Sequence, residues 1–266
     1  MTPNSQIIDS VAERKQGSTL ILTFVNPERR NAFTPEMRRR LAARLTESYG
    51  EDDIRAIVLC GQGEHFCAGA DLSRVGGGPA PSLIQFRENM KDAHNLVRTI
   101  AYGSKPVIAA IEGVAVGAGL SIALACDLVV TARNARIGVA FTKLGLMPDM
   151  GLLYSLSERV GRATARRMIM FSEMMDGAGA VEAGVADELV DQGQAVDRAI
   201  ELAASLEAAA PLAIGMVKVA LSGRVESLDD ALRLELDLLP GLATSADFAE
   251  GVLAFKEKRP PRFTGR

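Results

Sequence analysis

Two short segments of the chain are built almost wholly from small residues. One is Ala68-Gly69-Ala70, within His65-Phe66-Cys67-Ala68-Gly69-Ala70-Asp71-Leu72; the other is Gly117-Ala118-Gly119, within Gly113-Val114-Ala115-Val116-Gly117-Ala118-Gly119-Leu120. Small residues let another group approach the main chain, so what such segments can offer is backbone N–H donors. Two fixed amides inside a dry pocket stabilise negative charge that develops on a substrate oxygen during reaction, and an amide at a helix N-terminus adds the positive end of the helix dipole. Taken singly, each segment also suits a plainer role, Gly69 as a turn glycine and Gly117-Ala118-Gly119 as a surface for close helix packing. Neither has the Gly-Lys-Ser/Thr ending or the full Gly-x-Gly-x-x-Gly pattern of a phosphate cradle.

The remaining reactive side chains are sparse. Cys60, Cys67 and Cys126 are odd in number and widely spaced, with only His65 and His94 as imidazole partners, so neither a disulfide framework nor a zinc site is supported. Ser121 would need a base beside it to act as a nucleophile; no motif ties either histidine to it, and it reads as a packed helix serine. Asp149, just before Met150, has the residue type and place of a helix cap. Asp71 reads as a cap, Glu64 as a solvated loop charge, His65 as a loop residue and Asp127 as a helix end or strand start. Arg38, Arg39 and Arg40 fall in a helical pattern with Leu41, Leu45 and Glu47 and read as a solvated face.

Positioning such residues takes a folded frame, and the composition supplies one. A chain of 266 residues with 48% hydrophobic content can bury a large core in one or two domains, and a net charge of -3 gives no general electrostatic reason to bind nucleic acid. The opening residues are polar and mixed in charge, unlike a signal or transit peptide, and the longest apolar stretch, between Glu112 and Asp127, is too short to span a bilayer. With three unpaired cysteines, these features predict a reducing, cytoplasmic setting without membrane attachment.

The elements follow from periodicity and punctuation. A strand over 19–25 ends at Asn26-Pro27; Thr34 and Pro35 then open a helix that places Met37, Leu41 and Leu45 on one face before Gly50. Strands are predicted over 54–60, 106–111 and 128–132, a helix through Phe86, Met90, His94 and Val97 after the mobile-looking Gly76-Gly77-Gly78, and a Gly/Ala-rich helix from Gly113 to Asp127. From Met150 onward nearly everything reads as helix, over 152–160, 163–171, 178–183, 195–208, 212–221, 228–239 and 246–258. Strands crowded into the first half argue for an α/β core followed by a helical region.

The two small-residue segments, their order and separation, the preceding Asn26-Pro27-Glu28-Arg29-Arg30-Asn31-Ala32 and the ending Phe255-Lys256-Glu257-Lys258-Arg259 together resemble the crotonase superfamily of enoyl-CoA hydratases and isomerases, from about Leu20 to the C-terminus. The resemblance implies an α/β fold of the ClpP/crotonase type: a spiral core of ββα units over 1–200 and a helical oligomerisation region over 201–266. It implies a catalytic set of the Ala68 and Ala118 amides with Asp149, the last matching isomerase branches through Leu144-Gly145-Leu146-Met147-Pro148-Asp149-Met150-Gly151. Ser121 and Phe141 stand where hydratase relatives carry two carboxylates, which puts water addition in doubt, because that reaction needs an acid–base pair.

An acyl-CoA thioester is the implied partner, with coenzyme A part of the substrate and no further cofactor or metal. Arg29, Arg30, Ala70, Asp71, Gly117, Ser121, Phe141, Phe255 and Lys258 are the implied substrate-binding residues, the last two serving a neighbour's site in a homotrimer or dimer of trimers. The activity implied is a double-bond shift by proton transfer. Its rivals are a hydratase using another group, a non-catalytic acyl-CoA-binding protein, and a serine peptidase of the related fold, the last disfavoured for want of a Ser-His-Asp arrangement.

Overall fold

A computed structural model of the chain describes residues 6–8, 10–72, 82–222 and 225–266; Gly76-Gly77-Gly78 lies outside them. Ten strands and nine helices run through the described residues. The main sheet is formed by β1 (Gln6–Ile8), β2 (Val11–Gln16), β3 (Thr19–Phe24), β4 (Ala56–Gly61), β5 (Val107–Ile111), β7 (Leu128–Ala132) and β10 (Glu188–Val190), in that spatial order. The pairs β1–β2 and β2–β3 are antiparallel and the rest are parallel.

The apolar runs of the central strands are continuous because both faces are covered. Successive side chains point to opposite faces, so Leu20, Leu22, Ile57, Leu59, Val107, Ala109 and Ile111 enter one core while Ile21, Val58, Cys60, Ile108 and Ala110 enter a second. The first core is closed by α1 (Pro35–Ser48), α2 (Leu83–Tyr102), α3 (Ala118–Ala125) and α4 (Leu152–Met170). The second is closed by α6 (Ala195–Ser205) through Ala195, Ala199, Ile200 and Ala203. A boundary after residue 200 therefore falls inside a helix that seals the core.

A small second sheet, β6 (Val114–Val116), β8 (Arg136–Gly138) and β9 (Met174–Asp176), is what turns the layers into a spiral. β5 passes through Glu112 and Gly113 into β6 and then α3, and β7 passes through 133–135 into β8 and on to α4. A third copy of this ββα unit is reduced to a single bridge: β4 leads to Cys67, which pairs with Ala115 of β6, and the chain goes on to α2. The sequence places a helix directly after Gly113; β6 intervenes, because three residues are too few to show alternation.

The later elements depart from the all-helical expectation at β9 and β10, which are equally short. α4 is bent at Gly161, the break expected between the runs 152–160 and 163–171. After α5 (Gly177–Glu182), the chain ends in α7 (Pro211–Leu221), α8 (Leu228–Ala243) and α9 (Ala246–Glu257), with α8 burying no residue. Among the described residues no single helix is long and apolar enough to cross a membrane.

Close packing between α3 and the Cys67 segment leaves no room for a side chain at Gly119: a Cβ there would lie 2.3 Å from the Cys67 carbonyl oxygen. Backbone must move to admit it, so Gly119→Ala is expected to lower stability by about 1–3 kcal/mol, the usual cost of overpacking. Urea unfolding, read as a lower midpoint at unchanged slope, measures it.

Candidate active site

The first wall of the site is held by a buried asparagine. Asn31, in the left-handed region at φ 55°, donates from Nδ2 to the carbonyls of Gln62 (3.0 Å) and His65 (2.6 Å), and its Oδ1 accepts from the Asn26 amide. Phe24 stacks edge-on against Phe33 and Phe66, with centroids 5.5 and 5.3 Å away, and so fixes the two segments that flank the site. Between them runs the segment 67–71. Cys67 exchanges hydrogen bonds with Val114 and Val116 on one side, while Phe33 donates to the Gly69 carbonyl at 2.7 Å on the other.

The second fact settles where an amide points. The carbonyl and N–H of one trans peptide point in opposite directions, so with the Gly69 oxygen turned to Phe33, the Ala70 N–H is turned away from it, toward the β6 and α3 side. Among the described residues that N–H has no partner. The Ala68 amide, by contrast, donates to the Arg30 carbonyl at 3.0 Å. The expectation that Ala68 supplies the first free donor is thus corrected, and the free amide two residues on belongs to Ala70.

The same rule applies at the other wall. Gly117 directs its carbonyl along α3, where it accepts from the Ser121 amide at 3.0 Å, so the Ala118 N–H points out of the helix N-terminus and is unpaired among the described residues. The two walls touch. Gly69, at φ 97°, lies so near β6 that a Cβ would stand 2.8 Å from the Val116 oxygen and 3.6 Å from the Ala118 nitrogen. Only glycine meets both demands, and its presence brings the Ala70 and Ala118 amides to one place. Cys67, beside them, has its thiol pushed up to about 12 by burial and is no nucleophile.

Asp149, in the loop before α4, lies against α3 one turn from its N-terminus. Ser121, fully buried, has its Oγ 3.2 Å from both the Gly117 and the Asp149 carbonyls, which ties the Asp149 backbone to the helix that carries Ala118. The capping expectation fails: the N-cap of α4 is Gly151, and the helix receives no side-chain cap. Instead the Asp149 Oδ1 is buried without a hydrogen-bond partner among the described residues. Burial raises its pKa above the ordinary aspartate value, opposed by the charges of Arg38 on α1 and His94 on α2. Phe141, 7% exposed, presses its ring toward Gly117, where a Cβ would come within 3.9 Å, and makes an apolar wall.

Other anticipated binding residues are distributed differently. Arg29 forms a two-pronged ion pair with Asp71, at 2.9 and 3.2 Å, at the rim beside Ala70. Arg30 is exposed and gives its carbonyl to Ala68. Phe255, 86% exposed, and Lys258 lie at the end of α9, which packs on α8 and the C-terminal tail. Arg38 is a correction: its Nε and Nη2 are buried, whereas sequence placed it on a solvated face with Arg39 and Arg40. Its place one residue from the apolar Met37 and three from Leu41 was the available signal. Asn31 gave no such signal, because its clamp is made across sequence.

The chain belongs to the enoyl-CoA hydratase/isomerase family, whose model matches residues 14–266. It is 38% identical over 264 residues to 1,2-epoxyphenylacetyl-CoA isomerase of Escherichia coli K12, covering 98% of this chain and 100% of that one. It is 34% identical to 2,3-dehydroadipyl-CoA hydratase of the same organism over 253 residues, 95% of this chain and 97% of the other. A solved enoyl-CoA hydratase from Polaromonas sp. JS666 superposes with a TM-score of 0.90 at 34% identity, covering 95% and 99% of the two chains, and one from Bacillus anthracis with 0.91 at 28% identity, covering 97% and 100%. The spiral α/β core and helical C-terminal region are those of this family.

The raised pKa of Asp149 has a consequence for stability. The folded protein holds the proton to higher pH than the unfolded chain does, so stability falls as pH rises from the ordinary aspartate range through the raised value. Asp149→Asn, which cannot ionise, is therefore expected to unfold at higher urea concentration than the parent at pH 7. Below the ordinary aspartate range the two curves should converge.

Proposed function

We propose that the protein is an acyl-CoA isomerase in which the amides of Ala70 and Ala118 hold the thioester enolate oxygen and Asp149 carries a proton between carbons of the acyl chain. The carrying observation is a buried carboxylate oxygen, unpaired among the described residues, on a residue that Ser121 ties to the helix offering the Ala118 amide. With the carbonyl oxygen on the amides, abstraction of an acidic proton leaves an enolate, and return of the proton at another carbon completes the shift. A carboxyl whose pKa is raised by burial suits both halves, since it takes and returns the proton with little penalty. The apolar Phe141 and the engaged Ser121 leave no second carboxylate at their positions, which favours proton transfer over hydration. The E. coli relative named as an isomerase supports the same choice.

Coenzyme A would lie along the rim at Arg29 and Arg30, with Phe255 and Lys258 reaching it from a neighbouring copy. Support for that assembly comes from α8, whose Leu228, Leu232, Leu236 and Leu239 are 46–78% exposed. Leucines at helical spacing on a helix that buries nothing suit an interface between copies. Multi-angle light scattering is expected to give a mass near three or six chains, and a monomer mass at micromolar concentration would remove the neighbour's share of the site.

The decisive assay is isomerisation of a panel of enoyl-CoA thioesters with proton exchange followed in deuterated water. Asp149→Asn should keep acyl-CoA binding and lose roughly 10²–10⁴ in rate, together with exchange at the α or γ carbon. A folded Ala70→Pro variant, lacking one donor, should lose roughly 10²–10³. Exchange and isomerisation persisting in the Asn variant would leave Asp149 without the role assigned to it.

A further inference from the structure

α1 carries four arginines, and three of them form ion pairs, although Arg40 keeps one buried nitrogen, Nε, unpaired among the described residues. Arg39 reaches Glu36 at 3.8 Å and Asp92 at 3.6 Å, Arg40 reaches Glu13 and Glu47 at 3.7 Å each, and Arg44 binds Glu13 and Glu51 at 2.6 and 2.5 Å. Arg38 has no ion pair among the described residues. Asp92 on α2, the acid whose charge acts on it most strongly, is the one Arg39 engages, and Asp149 feels the Arg38 charge without being bonded to it. The two Arg38 nitrogens left buried and unpaired are Nε and Nη2. These are not any two of the guanidinium donors: together they form its side-on fork, two parallel N–H groups spaced to meet the two oxygens of one carboxylate. A guanidinium cannot lose its proton to escape burial, so a fork held this way is costly unless something planar and anionic fills it.

The neighbouring groups say what that is. Ser121, one turn on from the Ala118 amide, is bonded to the Asp149 carbonyl, and Arg38 on α1 lies within electrostatic reach of Asp149. An acyl chain whose carbonyl oxygen rests on the two amides and whose reacting carbons lie at Asp149 would carry its far end to Arg38. We infer that Arg38 is the receptor for a carboxylate on the acyl group, which makes the substrate class an acyl thioester bearing a second acid function. This rests on the acyl-CoA reading above and adds to it the chemistry of the distal end. Arg38 is a specificity residue in this scheme and takes no part in the proton transfer.

Binding, which needs no turnover, tests it. The probes are two series of saturated acyl-CoA thioesters of matched chain length, one ending in methyl and the other in carboxylate, titrated calorimetrically into the full-length protein. The parent is expected to bind the carboxylate-ended member tighter at the length that reaches Arg38. Arg38→Met keeps the apolar stem and removes the fork; it should lose about thirtyfold or more on that ligand and leave the methyl-ended one unchanged. Arg38→Lys keeps the charge near Asp149 but not the fork, and should lose most of the same preference, which a purely electrostatic tuning role would spare. Equal binding of the two series by the parent, or equal losses on both in the variants, overturns the proposal while leaving the acyl-CoA reading intact. No binding of either series by the parent overturns both.

Discussion

The hydrogen bond from the Phe33 amide to the Gly69 carbonyl is the contact on which the site depends. It is an ordinary backbone bond, 2.7 Å long, yet it decides the direction of the next amide, because a peptide plane cannot turn its oxygen one way without turning its N–H the other. Phe33 is in place to make it because Phe24 stacks on its ring, and the segment that receives it is held from the other side by Val114 and Val116. The Ala70 donor is thus oriented from two sides, by Phe24 of the main sheet acting through Phe33 and by β6 of the small sheet. The fold commits its most rigid elements to aiming two amides, and the site inherits that rigidity at no cost in side-chain order.

Against this fixed frame the charged groups are few and strained in the electrostatic sense. Asp149 and Arg38 are drawn partly out of water and are left with a buried oxygen and two buried nitrogens unbonded. Their mutual attraction across the pocket limits how far burial raises the carboxyl. Such groups lower the stability of a folded chain, and their retention next to two free amides is the pattern of a site shaped for a ligand. Ser121 is the hinge of the arrangement, since one hydroxyl links the helix with Ala118 to the loop with Asp149.

Much of the frame was legible in sequence because double-sided burial writes itself as unbroken apolar runs, as in β4, β5 and β7, and because Thr34-Pro35 is a strong helix start. The four strands of three residues after residue 113, β6, β8, β9 and β10, were not legible, being too short to establish an alternation. Nor was β2, a half-exposed edge-side strand with charged residues facing out. At the site, the small-residue segments and Asp149 could be read, but the choice between Ala68 and Ala70 turns on which peptide oxygen meets Phe33, a matter of register that composition does not encode. Arg38 escaped notice because a guanidinium at the margin of an apolar stripe becomes buried only once α2 and the 142–151 loop are laid beside it.

That the two donors belong to the main chain divides the site into halves with different genetic fates. No change of side chain at residue 70 or 118 deletes an N–H, save proline, so this half is nearly immune to single codon changes that leave the backbone path intact. The other half, at Ser121, Phe141, Asp149 and Arg38, consists of groups that one substitution can add, remove or exchange. A lineage built on such a frame can trade one proton-transfer chemistry or acyl preference for another by small steps, while the part that activates the thioester is inherited without interruption.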